Sequence, residues 1–386
     1  MQEKASSKLT AKLMGLVVAA GVWIITTSIP SASAKGGAAA ASVNVREEFD
    51  LATPGTAVAV AWSADGSALA AASDFGGVLT VWDRNGHLIN QFKRIGGGPT
   101  LGGSIAFVAG SSQLVFPPPE NTDSSMAFAV WDVKTGEIIR TESGPQLGDE
   151  RVLNRAQHFM ASPDEGLLAV ATTGGRGNPQ FKKNLIVYDT HSWQVLQTTK
   201  VLPGISSLCV FANGRLLGVG SILGGRISVI DMSTGAAVSE LQAYEESKYG
   251  SVSLGAIAGS PAGDLIMAGV SSGLLHGDFR GTPEQRAWDE AMSSTDAVRI
   301  FRTKDGMRLA TFSAAKGPIR QAMWDPKGHF VAFVDNQRGL FLWAPWIGPD
   351  YKKIDLPSKT LSLAISPHGD HIAVTTDRGV RVYSLH

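Results

Sequence analysis

Val58-Ala59-Val60-Ala61-Trp62, Ser63-Ala64-Asp65-Gly66 and Ala68-Leu69-Ala70-Ala71-Ala72 follow one another within residues 56–92 and read as strand, turn and returning strand. After the polar step Ser73-Asp74-Phe75-Gly76-Gly77 comes Val78-Leu79-Thr80-Val81-Trp82, whose alternation suits a third strand. Asp83-Arg84-Asn85-Gly86 then turns the chain into a fourth strand from Leu88 to Phe92. The stretch specifies four short antiparallel strands.

The same unit recurs along the chain. A second copy has apolar runs at 104–107, 114–116 and 127–131, then Asp132-Val133-Lys134-Thr135-Gly136 and a last run at 137–140. A third carries the turn Ser162-Pro163-Asp164-Glu165-Gly166 and the strand Leu185-Ile186-Val187-Tyr188-Asp189; a fourth carries Phe211-Ala212-Asn213-Gly214 and the strand 227–230 before Asp231. The fifth and sixth turn at Ser260-Pro261-Ala262-Gly263-Asp264 and Asp325-Pro326-Lys327-Gly328. The seventh turns at Ser366-Pro367-His368-Gly369-Asp370 and reaches only its third strand, Val380-Arg381-Val382-Tyr383.

That missing fourth strand decides the architecture. A ring of four-stranded blades must leave no open edge, and Val43 to Leu51, just ahead of the first unit, can supply the absent outer strand. The reading is an all-β, seven-bladed propeller closed by its N-terminal segment.

These units resemble the WD-repeat β-propeller family, of a divergent, exported bacterial type. The clearest marks are Trp82-Asp83 and Trp131-Asp132 at the ends of third strands, with Tyr188-Asp189 and Ile230-Asp231 in the same slot, and the Ser-Pro-Asp-Gly-like turns at Ser63, Ser162, Ser260 and Ser366. The sequence departs from the family in lacking Gly-His ahead of the first strands and Asp in the third-strand slot of units five to seven. The hydrogen-bond network of regular WD repeats is therefore not assumed.

Composition narrows the function classes. With 34 basic and 34 acidic side chains among 386 residues, no net charge draws the chain to a polyanion, so a nucleic-acid partner is not expected. Lys4, Lys8 and Lys12 precede an apolar run at 13–25, and Ala32-Ser33-Ala34 offers a signal-peptidase pattern. Residues 1–34 read as an export signal, 35–42 as a linker and 43–386 as one domain, periplasmic or secreted, with no stable membrane span after cleavage. The sole cysteine, Cys209, lies in an apolar strand and reads as a buried thiol.

In the family resembled, the loops between second and third strands and the connections between blades open on one face, the top. The second-to-third-strand loops are long in unit two (117–126), unit three (172–184) and unit five (271–297). Unit three's loop offers Arg176, Phe181, Lys182 and Lys183, and the connection before it adds Arg151 and Arg155. Unit five's insertion carries His276, Arg280, Arg286 and Trp288, and Thr282-Pro283-Glu284-Gln285 marks a helix start running to about Met292. On that helix Trp288 either packs on the propeller or anchors a partner. These residues are the candidate contacts for a protein partner; an anionic glycan or lipid head group is the other chemistry such cationic loops fit. Trp346 and Tyr351, on the opposite face, either cover a blade edge or form a second contact.

No catalytic set, metal site or cofactor is expected, because no Gly-x-Ser-x-Gly elbow, phosphate loop or dinucleotide fingerprint is present and His276-Gly277-Asp278 is a weak metal or acid–base pattern. A protein-interaction scaffold is the favoured reading; the alternative is the propeller subunit of a periplasmic enzyme, such as a quinone-dependent dehydrogenase or a lyase, with chemistry over the central channel. The signal reading has a direct check: N-terminal sequencing of the exported protein should begin at Lys35, and a start at Met1 would refute cleavage.

Overall fold

A computed structural model of the chain describes residues 43–73, 77–93, 105–117, 126–143, 146–147, 150–151, 158–171, 184–201, 204–245, 250–275, 281–286, 297–315, 318–346 and 350–386. Strand β1 (Val45–Ala52) precedes blade 1, which is β2 (Ala57–Trp62), β3 (Ala68–Ser73), β4 (Val78–Asp83) and β5 (Leu88–Lys93). Blade 2 is β6 (Ala106–Val108), β7 (Gln113–Phe116), β8 (Met126–Asp132) and β9 (Ile138–Ser143), followed by a small hairpin of β10 (Gln146–Leu147) and β11 (Glu150–Arg151). Blade 3 is β12 (His158–Ala161), β13 (Leu167–Ala171), β14 (Leu185–Asp189) and β15 (Val195–Thr199). Blade 4 is β16 (Ile205–Phe211), β17 (Leu216–Ser221), β18 (Arg226–Asp231) and β19 (Ala237–Gln242). Blade 5 is β20 (Gly250–Gly259), β21 (Leu265–Leu275), β22 (Val298–Arg302) and β23 (Arg308–Phe312). Blade 6 is β24 (Ile319–Trp324), β25 (Val331–Asp335), β26 (Gly339–Trp343) and β27 (Tyr351–Asp355). Blade 7 is β28 (Leu363–Ile365), β29 (His371–Thr376) and β30 (Gly379–Leu385), completed by β1.

Seven four-stranded antiparallel blades thus surround a common axis, each inner strand first in sequence and each outer strand last, except in blade 7. Both faces of a blade pack against its neighbours, so the middle strands are buried throughout: ALAAAS in β3, VAFVD in β25 and GLFLW in β26. Blades converge toward the axis, and small residues accommodate the convergence. A side chain at Gly255, on the inner strand of blade 5, would run into the backbone carbonyl of Ile319 in blade 6.

The first-to-second-strand turns form a hydrogen-bonded ring on the lower side. Ser63, Ser162, Ser260 and Ser366 each hold the amide of the residue that starts the return strand, and each hydroxyl donates to a carboxylate in its own turn: Asp65, Asp164, Asp264 and Asp370. Glu165, held in the left-handed region at φ 57° and 2% exposed, reaches across blades to accept from the amides of Ala64 (2.9 Å) and Ser111 (2.5 Å). Blade 6 departs from this pattern: Asp325 replaces the serine, its Oδ2 accepts from the His329 amide at 3.0 Å, and its buried Oδ1 has no hydrogen-bond partner. Burial pushes that carboxyl up from the usual carboxylate range.

Closure is built as the missing strand required. β1 runs antiparallel to β30 from Val45↔Leu385 to Ala52↔Gly379, and the pairing continues through reciprocal bonds of 2.9 Å between Asn44 and His386. A bulge between Glu47 and Phe49 leaves Glu48 unpaired and turns its carboxylate to His371 Nε2 at 2.8 Å. The other ring nitrogen of His371 meets Asp370 at 2.9 Å, and Asp370 also pairs with Arg84 of blade 1. Arg381 bridges Glu47 and Asp50 of the closing strand, both at 3.1 Å. Phe49 and Leu51 add apolar contact to the core between blades 7 and 1.

Removing residues 43–52 therefore uncovers the full edge of β30 and strips Glu48 from His371 and both carboxylates from Arg381. The truncated protein should melt about 5–10 °C below the intact one by calorimetry; equal melting temperatures would show that the strand does not hold the ring.

Candidate interaction surface

Because every complete blade has the same strand order, all second-to-third-strand connections leave one end of the ring and all first-to-second-strand turns leave the other. The three longest of those connections start after Phe116, Ala171 and Leu275, in blades 2, 3 and 5, and so emerge on the same face, the top. The corresponding turns of blades 4, 6 and 7 are short, at 222–225, 336–338 and 377–378.

Blade 5 differs from the expectation of a loop beginning at residue 271. β20 and β21 continue as a two-stranded ribbon, Gly250↔Leu275 to Ser253↔Ser272, beyond Gly269, the last residue of β21 that pairs with β22. The ribbon is tied to blade 4, where Ser251 Oγ accepts from the Gly224 amide at 2.7 Å and the Val252 carbonyl from the Gly225 amide at 2.9 Å. Ser271-Ser272-Gly273 are turn-type residues, yet tertiary pairing carries the strand on through them. Beyond it, a helical turn spans 283–286, with Thr282 Oγ1 accepting from the Gln285 amide at 3.2 Å and the Gln285 side chain accepting from the Gly281 amide. The helix start is placed as the capping residues require; its continuation to Met292 lies outside the described residues.

Among the sequence-derived contact residues, Arg286 is exposed at the end of that turn, and Arg151 lies in β11 with its backbone opposite Gln146. Arg155, Arg176, Phe181, Lys182, Lys183, His276, Arg280 and Trp288 lie outside the described residues. On the lower side, Trp346 stacks on Trp324 (centroids 5.4 Å apart, 10° between planes) and Tyr351 meets Phe312 edge-on at 4.9 Å. Both rings cover blade edges.

The third-strand aspartates serve the lower turns. Asp83 Oδ1 accepts from the amides of Asn85 and His87, Asp132 from Lys134 and Thr135, Asp189 from His191 and Ser192, and Asp231 from Ser233 and Thr234, all at 2.7–3.1 Å. In blade 5, Arg302 occupies the slot and Asp305 supplies the carboxylate from within the turn, pairing with Arg302 and accepting from the Met307 amide. These hydrogen bonds hold the carboxyls of Asp83, Asp132, Asp189 and Asp231 below the usual range. In these third-to-fourth-strand turns the aspartates are engaged as acceptors by their own backbone.

Chemistry-bearing groups are sparse in the described residues. His87 and His191 sit in lower turns and His329, His368 and His371 in or beside them, while His158 opens the inner strand of blade 3 at the upper end of the channel. Burial pushes its imidazole down to about 4, so the ring is neutral at neutral pH. Cys209 is buried, and that burial pushes its thiol up to about 12, far from a reactive thiolate. Among the described residues no cluster of three or more His, Cys, Asp or Glu is placed to hold a metal ion, and no helix is long and apolar enough to cross a membrane.

No protein-family model and no curated protein matches the chain. The seven-bladed β-propeller is the level at which its architecture is assigned.

A neutral, half-buried His158 carries a pH signature. Its folded value lies below the ordinary 6.5, so its contribution to stability is complete above pH 6.5 and is lost as pH falls toward 4. The unfolding free energy of the wild type, from denaturant titrations, should drop by about 2 kcal/mol more than that of His158→Gln between pH 7 and pH 4.5. Equal losses in the two proteins would place the acid sensitivity elsewhere.

Proposed function

We propose that this propeller is an exported scaffold of divergent WD-repeat type that binds a protein partner through its top face, in the periplasm or outside the cell, once residues 1–34 are removed. The observation that carries the reading is the sorting of connections: the long ones of blades 2, 3 and 5 leave one face, while the other face carries short turns closed by hydrogen bonds within themselves. A closed ring holds those connections at fixed bases, so their sequences can serve recognition without unfolding the core. The loop cations Arg151, Arg155, Arg176, Lys182, Lys183, Arg280 and Arg286, with Phe181, His276 and Trp288, are the proposed contacts.

Affinity capture from the periplasm tests the proposal, using the intact protein beside a variant lacking residues 281–294. The intact protein should retain a partner that the variant loses, with melting temperatures agreeing within a few degrees. Recovery of the same partner by both proteins would remove blade 5 from the contact, and recovery of none by either would count against the scaffold role.

A further inference from the structure

Blades 6 and 7 present a different kind of surface on the top face, made by short turns. Arg320 near the start of the inner strand β24, Arg338 in the turn of blade 6, Lys359 in the connection between the two blades and Arg378 in the turn of blade 7 are all exposed. Hydrogen bonds join the segments that carry them. Arg320 donates through Nε (3.3 Å) and Nη2 (3.0 Å) to Asn336 Oδ1, the Arg338 carbonyl accepts from the Leu356 amide at 2.8 Å, and Ser358 Oγ accepts from the Asp377 amide at 3.1 Å.

The charge on this sector is unmet. Arg320 is oriented by a neutral amide oxygen, which fixes the guanidinium fork without neutralising it. Nearby carboxylates are engaged elsewhere: Asp335 is buried and accepts from the amides of Gln337 (2.9 Å) and Gly339 (2.7 Å), Asp355 pairs with Lys353, and Asp50 pairs with Arg381. Asp377 is the one further carboxylate among the described residues of these turns and connections. Arg338 also sits at φ 66°, a left-handed conformation that glycine adopts at least cost. The Arg338 charge therefore stands at an exposed turn with no ion-pair partner among the described residues.

We propose that this sector docks an extended acidic peptide segment. Extension follows from the spread of the cations, from an inner strand outward over two blades. A nucleic acid fits less well, because the chain as a whole carries no net charge to attract a polyanion. The inference rests on the top face being the interaction face and names the partner chemistry of one part of it.

The test is fluorescence anisotropy of a short labelled peptide of Glu-Glu-Ser repeats with the intact protein and the double variant Arg320→Gln/Arg338→Gly. The double variant should bind about tenfold more weakly, and binding by the intact protein should weaken by a similar factor as salt rises from about 0.05 to 0.3 M. Arg338→Gly alone should melt no lower than wild type, which separates loss of binding from loss of fold. A peptide with Gln in place of Glu should not bind. Undiminished binding by the double variant overturns the proposal; so does a single-stranded oligonucleotide or an anionic phosphatidylglycerol vesicle that binds more tightly than the peptide with the same sensitivity to substitution. If the peptide fails while capture still recovers a partner, this sector assignment falls and the scaffold reading stands.

Discussion

Pairing of β1 with β30 is the constraint on which the rest of the molecule depends. Without it blade 7 would have three strands and an exposed edge, and the upper connections would lack a common fixed base. The pairing is held by more than its ladder. The bulge at Glu48 directs a carboxylate to one nitrogen of His371 while Asp370 meets the other, and Asp370 carries the contact on to Arg84 in blade 1. Partial burial works against ionisation of Asp370, but hydrogen bonds from Ser366, His371 and Arg84 and the charge of His371 hold its carboxyl well below the usual range. Three segments far apart in sequence are thereby joined at one seam.

The two faces of the ring use charge differently, although the chain as a whole is balanced. Below, aspartates accept amide hydrogens from their own turns, so their negative charge is spent on local order. Above blade 6, the guanidinium of Arg320 is placed by a neutral oxygen and keeps its charge for the solvent side. Equal totals can therefore accompany unequal surfaces, because what a charged group does depends on whether its partner lies within the same turn.

Most of the fold was legible because each blade repeats its own punctuation. The turns at Ser63, Ser162, Ser260 and Ser366 and the aspartates at the ends of third strands mark strand ends directly, since their side chains make the bonds that close those turns. The closing strand was legible from a shortfall, one strand missing at one end and one spare at the other. The ribbon of β20 and β21 was not, because residues 271–275 are carried on by pairing and by contact with Gly224 and Gly225 rather than by a local signal. The candidate surface was legible in part: loop length singled out three connections and the capping residues Thr282 to Gln285 marked the helix start, but Arg320, Arg338, Lys359 and Arg378 are single cations in unremarkable stretches. They become neighbours only through the bonds between Arg338 and Leu356 and between Ser358 and Asp377.

The closing strand also sets a rule for how copies of this chain meet one another. The hydrogen bonds that β1 offers to its own β30 are identical to those it could offer to the β30 of another molecule, so ring closure and strand exchange compete on equal contacts. What separates them is the tether: only residues 53–56 lie between β1 and blade 1, which already packs against blade 7, so the local concentration of the correct edge is high. A longer tether would erode that advantage and favour entwined chains, whereas the brevity of this link favours closure within one molecule.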